Sequence, residues 1–429
     1  MKTKIQMVNE ITNPGESLVS LAFWFWALTT FRFAFALLFF RDHPVAATGV
    51  GSALSVGFAY YIVLWFLRTE VKTAKSVWPP IGKWIGLYVL WCAISLYWTH
   101  SASLISAAGY WATMTLDLLI VAAMLKLGDT EAIVQASLKG IVAGCGSIAV
   151  VALIFTSAGA DGRLGNVEFL HPTNVGNFAA IGALCSIYFW LKTRVQGGRE
   201  RWFWAGCALF ISWILIVSLS KTSMVGFVCA FSFLILSFMG ISLKTKMLAL
   251  LLGATLFAAM YGTVSAYLTD YQEDNHELTT LTGRTVLWAE TWEMIQDHPI
   301  AGYGFLSFRD FGPQDWDERA TMAHDEWLNQ WFQLGGVGVL LTLAIYGSYF
   351  WRVWRSEKSL SRQLGLSLLI YMLIDGLTMA EPVGLMFPLT MMLLLTVWMN
   401  ASPGFETART ISGRTNAGPL RSLLRQPSC

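Results

Sequence analysis

Apolar stretches of about 20 residues recur along almost the whole chain, each long enough to cross a hydrocarbon core roughly 30 Å thick as an α-helix. About twelve can be read, near 17–40, 45–67, 81–99, 103–125, 140–158, 173–191, 202–219, 222–241, 247–268, 327–351, 363–380 and 383–400. Composition agrees with this reading, because 55% of the residues are hydrophobic, 13% are charged and 20 are Trp. A soluble core has no place for so much apolar length. The sequence therefore predicts an all-α, polytopic integral membrane protein. The first stretch exceeds a signal-peptide core and is followed by no small-residue cleavage site, so it is expected to stay as an anchor.

Charge sets the expected orientation. With a cytoplasmic N-terminus, the 29 Lys and Arg all fall in cytoplasmic segments except Arg41, Arg163, Lys221, Arg284, Arg309 and Arg319 on the outer side and Arg32 within the first span. That asymmetry satisfies the positive-inside rule and explains the basic loops without a nucleic acid. The expected organisation is nine spans in 1–268, a long outward loop at 269–326, three spans in 327–400 and a cytoplasmic tail at 401–429. The tail, rich in Ser, Gly, Pro and Arg, is expected to be disordered. Cys92, Cys145, Cys185, Cys207 and Cys229 lie within spans and Cys429 ends the chain, which leaves no loop pair for a disulfide or a zinc site.

The outward loops concentrate the chemistry. In 269–326 the acids far outnumber Arg284, Arg309 and Arg319, and Trp288, Trp292, Trp316, Tyr271, Tyr303, Phe305, Phe308 and Phe311 are interspersed. Acids and aromatics together suit sugar hydroxyls and ring faces, and they equally suit a loop resting on the membrane interface. Within it, "TGRTVLWAETWEMIQDHP" places Arg284, Trp288, Trp292 and Ile295 on one helical stripe that Pro299 ends. This predicts an amphipathic helix lying along the membrane or capping a cavity. A second loop, "GADGRLGNVEFLHPTNVGN", combines Arg163, His171 and Asn174 with turn-forming glycines. A third, "SLSKTS", sets Lys221 at the bilayer edge.

The stretch "AHDEWLNQWFQLGGVGVLL" invites three readings. Consecutive residues of one helix point about 100° apart, and no second histidine follows at i+4, which argues against a metal site. Asp325 and Glu326 suit the cap of a helix, where a carboxylate accepts from free N–H groups at the positive dipole end. His324 beside them can take a proton near neutral pH, as a general base must. The glycines Gly335, Gly336 and Gly338 read as points of close helix packing.

Cations on a face that otherwise avoids them, Arg163, Lys221 and Arg284, point to an anionic ligand such as a lipid diphosphate, or else snorkel to lipid headgroups. Arg32, Asp117 and Asp375 fall within spans, where exposure to lipid would cost at least about 2.5 kcal/mol each. They must face protein or water, and Arg32 is expected to pair with one of the acids.

The order of these segments resembles the O-antigen ligase and polymerase superfamily over roughly 160–400. Its members share an Arg-x-x-x-Trp segment, here Arg284 to Trp288; a Pro-x-x-Gly-x-Gly turn, here Pro299, Gly302 and Gly304; and a His-Asn segment followed by Glu-x-Gly, here His324 and then Gln333, Leu334 and Gly335. "SLSKTS" corresponds to the family's Ser-x-Ser-Arg, and "GRLGNVEFLHPTNVGN" to its Gly-rich, Asn-containing loop. The chain departs from the pattern at Asp325 for Asn, Gln333 for Glu and Lys221 for Arg.

The resemblance implies a metal-independent, inverting glycosyltransferase of the bacterial inner membrane with its site facing the periplasm. The implied donor is an undecaprenyl-diphosphate-linked oligosaccharide and the acceptor a glycan or lipid A-core. Membrane lipids and other polysaccharide assembly and export proteins are the implied partners, with no cofactor. His324 and Arg284 would be catalytic, Lys221, Arg284 and Arg163 would hold the diphosphate, and His171, Asn174, Trp288 and Trp292 are candidates for glycan contact. Polymerisation of exopolysaccharide or O-antigen repeat units is favoured over ligation of finished glycan. From a different class, a lipid-linked glycan flippase or secondary transporter predicts inverted repeats and broken midplane helices, neither of which the sequence displays.

Overall fold

The structure is a computed structural model that describes residues 14–39, 44–68, 79–156, 162–165, 170–238, 242–244, 246–248, 250–251, 284–313, 322–377 and 387–401. Its helices are α1 (Pro14–Phe39), α2 (Pro44–Arg68), α3 (Pro80–Ser95, extended by a 3-10 turn to Trp98), α4 (Leu104–Leu127), α5 (Thr130–Phe155), α6 (Pro172–Gln196), α7 (Glu200–Val217), α8 (Lys221–Ser237), α9 (Arg284–Asp297), the single turn α10 (Phe308–Phe311), α11 (Glu326–Arg355), α12 (Leu360–Asp375) and α13 (Phe387–Ala401).

Six described helices are long and apolar enough to cross a membrane: Pro80–Trp98, Leu104–Leu127, Thr130–Phe155, Pro172–Val195, Glu200–Val217 and Glu326–Arg355. Gly51–Leu67, Lys221–Ser237 and Pro388–Asn400 are shorter apolar helices. The all-α membrane class is therefore present, while the expected count of about twelve spans is reached only in part. Most of the expected span at 247–268, the loop segment 269–283 and the tail from 402 lie outside the described residues.

Local sequence sets the helix ends. Pro80 and Pro172 occupy first-turn positions, where the missing N–H costs nothing. Ser103, Asp129 and Ser359 cap α4, α5 and α12 by accepting from Ser106, Ala132 and Arg362 N–H. α6, apolar on every side, is buried almost all round between α5, α7, α8 and α12. α1 lies along α5, and there Gly144 leaves no room for a side chain, since a Cβ would fall 2.7 Å from the Ala27 carbonyl oxygen. Arg32 of α1 pairs with Asp117 of α4 at 3.5 Å, with Asp117 fully buried, which decides which acid takes the intramembrane arginine. At the far end of the bundle Glu131 meets Lys192 at 3.6 Å and accepts from the Trp398 indole. On that side Arg355 stacks on Trp351 at 3.9 Å and Arg362 on Trp354 at 5.2 Å.

The decisive local feature is a break in α11. Gly335 takes φ 66° and ψ −170°, so the helical ladder is interrupted inside an apolar helix. Residues 299–304 enter the interruption and replace its missing bonds. Tyr303 N–H donates to Phe332 O at 2.9 Å and Gly304 N–H to Gln333 O at 2.8 Å, while Gly336 N–H donates to Pro299 O at 2.8 Å and Val337 N–H to Ile300 O at 3.3 Å. The Trp91 indole of α3 takes Leu334 O at 2.9 Å. Such an exchange requires backbone against backbone. A Cβ on Gly302 would fall 2.6 Å from Gln333 O, and one on Gly335 would collide with the Ile300 carbonyl. Gly335 thus opens the helix rather than packing two helices together, which corrects the expectation for it. Gly338 meets the Leu334 side chain of its own helix.

Two outcomes follow. Gly335→Ala should lower thermal stability in detergent by several kcal/mol, from about 1–3 kcal/mol of left-handed strain and about 1–3 kcal/mol of overpacking. Gly86→Ala, at a position with open space around it, should be neutral or slightly stabilising. Asp117→Ala should destabilise by about 3–5 kcal/mol by stranding Arg32, and Arg32→Leu combined with Asp117→Leu should recover most of that loss in the same denaturation assay.

Candidate functional site

The residues before α11 form a short, tightly held segment. Ala323 is fully buried, His324 is half-buried with φ 52°, and Asp325 is the extended N-cap, whose Oδ1 accepts from Leu328 N–H at 2.8 Å. Burial raises the Asp325 carboxyl above its usual range, and the backbone N–H groups of Leu328 and Trp327 oppose that shift. Glu326 is not a cap: its N–H donates to Gly376 O at 2.8 Å and its Oε1 accepts from Gln330 at 2.8 Å, while Gln330 also accepts from Tyr88.

α9 docks beside this segment. Its helix matches the periodic pattern, but the buried stripe is Leu287, Thr291 and Ile295, packed with Tyr303, Phe308, Ala323 and Phe332. Thr291 can join it because its hydroxyl donates to Leu287 O at 2.6 Å. Arg284 and Trp288 occupy the edge of that stripe, half-buried, and the Trp288 indole N–H donates to Ala323 O at 2.9 Å. Trp292 stands 45% exposed and meets Trp331 edge-on at 5.4 Å. The structure thus brings Trp288 and His324 together through one residue. Arg284 sits one helical turn before Trp288.

A second cluster gathers at the start of α8. Lys221 is the exposed first residue of α8. Leu164 N–H donates to Val217 O at 3.1 Å and Arg163 Nε to Ser218 O at 3.4 Å, so the Arg163 loop is pinned to the turn that precedes Lys221. His171 caps α6, its Nδ1 accepting from Thr173 N–H at 3.2 Å, and Asn174 follows half-buried in the first turn. Gly176 allows α6 to reach the serines, since a Cβ there would fall 2.9 Å from Ser218 Oγ.

A buried polar chain joins the two clusters. Ser220 Oγ donates to Ser223 Oγ at 2.9 Å, and Ser223 Oγ donates to Asp375 Oδ1 at 3.3 Å. The Tyr371 hydroxyl lies 3.0 Å from Asn177 Oδ1 and 3.3 Å from Asp375 Oδ1. The next residue, Gly376, receives the Glu326 N–H. The path from Ser220, beside Lys221, to Glu326, two residues after His324, therefore runs through Ser223, Asp375 and Gly376 at one end of the bundle. Sequence reasoning marked Asp375 only as an intramembrane charge and included Asn177 and Ser223 in the two short outward segments without assigning them a role; Tyr371 gave no signal, being an ordinary residue of an apolar helix. Among the described residues no group of three or more His, Cys, Asp or Glu is arranged to hold a metal ion.

A family model described as O-antigen ligase matches residues 206–343. The exopolysaccharide production protein ExoQ of Rhizobium meliloti (strain 1021) is 24% identical over 293 residues. Both findings support a likeness to the O-antigen ligase and polymerase superfamily. The similarity to ExoQ covers 62% of this chain and 64% of ExoQ, less than two thirds of that relative's length. The O-antigen ligase match contains Lys221, Arg284, Trp288, the Pro299 turn, His324 and Gln333, whereas Arg163, His171 and Asn174 lie before it.

Gln333, which replaces the family's Glu, has a structural task. It is 3% exposed, and its Oε1 accepts from Leu306 N–H at 2.7 Å, which holds a non-glycine residue at φ 66°. Only an acceptor oxygen is needed there. Gln333→Glu should therefore keep the protein folded and inserted, whereas Gln333→Ala should cost about 1–3 kcal/mol by stranding a buried donor, read as a lower melting temperature in detergent.

Proposed function

We propose that this chain is a membrane glycosyltransferase that transfers glycan from an undecaprenyl diphosphate carrier to an acceptor hydroxyl on the periplasmic side of the inner membrane. The observation that supports it most is the joining of the His324 segment and the Lys221 turn at one end of the bundle, in a chain whose residues 206–343 match the O-antigen ligase model.

In this reading the acceptor oxygen attacks the anomeric carbon from the face opposite the diphosphate. The carbon–oxygen bond to the carrier breaks, the diphosphate leaves with the electron pair, and the configuration inverts. Negative charge grows on the leaving group, so Arg284, Lys221 and Arg163 would lower the barrier by presenting positive charge where it develops. Lys221 would act as a point charge rather than a bidentate clamp. His324 would orient the acceptor hydroxyl and receive its proton. Asp325, engaged with the backbone of α11, would keep that helix start in place and take no proton from the acceptor.

Polymerisation of repeat units is favoured over transfer of finished chains to lipid A-core, because ExoQ is named for exopolysaccharide production. Deleting the gene and analysing lipid-linked and surface glycans tests both. Single repeat units accumulating on the carrier support polymerisation, and long chains stranded on the carrier support ligation. Units held on the cytoplasmic side would overturn both in favour of transport. At residue level, His324→Ala should reduce turnover by about 10²–10⁴-fold with normal membrane levels, and Arg284→Ala should abolish detectable product. Full turnover in His324→Ala would remove the base assignment.

A further inference from the structure

We propose that Trp288 is a positioning residue for His324: its indole N–H, by holding the Ala323 carbonyl, fixes the backbone conformation that aims the imidazole. The inference rests on the reading of His324 as the base, and extends it to the group that makes the base usable.

The argument begins with one torsion. His324 has φ 52°, a conformation that side chains other than glycine rarely adopt. Such a residue relaxes unless its surroundings hold it. The rotation in question is that of the 323–324 peptide plane about the N–Cα bond of His324, and the Ala323 carbonyl oxygen lies in that plane. Trp288 Nε1 donates to this oxygen at 2.9 Å. Fixing the direction of that carbonyl therefore fixes φ of His324, and with it the direction in which Cβ leaves the chain.

Both flanks are also held by other contacts. Downstream, Asp325 caps α11 through Leu328 N–H at 2.8 Å and Glu326 N–H is held by Gly376 O at 2.8 Å. Upstream, Ala323 is fully buried in the cluster that includes Leu287 and Phe332. Trp288 is anchored in turn, since α9 is set by Leu287, Thr291 and Ile295. Arg284 lies four residues before Trp288 on the same face of α9. One helix thus sets the cation and, through the indole, the imidazole in a fixed register. Trp288 stood among the candidates for sugar contact; here its polar hydrogen is used by the protein.

The test uses full-length protein in liposomes with the undecaprenyl diphosphate glycan extracted from the deletion strain. Trp288→Phe removes the donor and keeps a ring. Replacement of Trp288 by β-(3-benzothienyl)alanine, introduced by suppression of a stop codon, keeps the shape and removes only the N–H. Both should lower kcat by about tenfold or more with little change in KM, as expected when a base is displaced by a fraction of an ångström to 1 Å. The rate at which diethyl pyrocarbonate modifies His324, followed by mass spectrometry, should change in both. A phenylalanine variant that fails while the isostere retains full kcat would overturn the proposal, because bulk and not the N–H would then matter. Unchanged kcat and unchanged His324 modification in both variants would also overturn it. If His324→Ala proves fully active, the base reading falls alone, and altered His324 modification in the isostere still supports the clamp.

Discussion

A helix cannot stop inside an apolar environment without leaving carbonyl and N–H groups that have nowhere to bond. α11 stops at Gly335, and everything around it answers that demand. The segment 299–304 takes over bonds on both sides of the break, and Trp91 of α3 closes the remaining carbonyl. The loop is held further by the end of α3 and the residue that follows its 3-10 turn, as Ser95 Oγ accepts from Phe305 N–H at 3.1 Å and Thr99 Oγ1 donates to Phe305 O at 2.7 Å. A loop built this way has little freedom, since each shift would expose a buried polar group. α9 leads directly into it.

The candidate site is correspondingly assembled from two separately bonded parts. One part is α9 with the His324 segment, knitted by an indole and a small apolar core of its own. The other is the Lys221 turn with the Arg163 loop, knitted by backbone and serine contacts. Asp375 and Gly376, at the end of α12, touch both. In a membrane bundle, hydrogen bonds between helices add modest strength but specify which helix ends meet. The serine, tyrosine and carboxylate chain is of that kind.

Much of this was legible in the sequence, and the exceptions have physical reasons. The helix at Arg284–Asp297 followed from a 3.6-residue period ended by Pro299, and the cap at Asp325 from a carboxylate placed before an apolar run. The buried stripe of α9 was misjudged because Trp looks like core and Thr does not. In the fold Trp292 stays at the surface with Trp331, and Thr291 hides its hydroxyl against its own helix. The break at Gly335 was invisible, since "QLGGVG" within an apolar stretch continues the helical pattern and only the incoming loop requires φ above zero there. The partner of Arg32 could not be chosen from sequence, because Asp117 and Asp375 are equally plausible until the helices are arranged.

The break in α11 also acts as a ruler. From Gly336 to Arg355 the intact part of the helix rises about 30 Å at 1.5 Å per residue, which equals the thickness of a hydrocarbon core. Its far end is marked by Trp351 and Trp354 stacked under Arg355 and Arg362, the residues that settle at a membrane boundary. A hydrocarbon core of that thickness set against that end would reach as far as Gly335 and exposed Ile300. The nine residues from Glu326 to Leu334, and His324 before them, lie beyond that length.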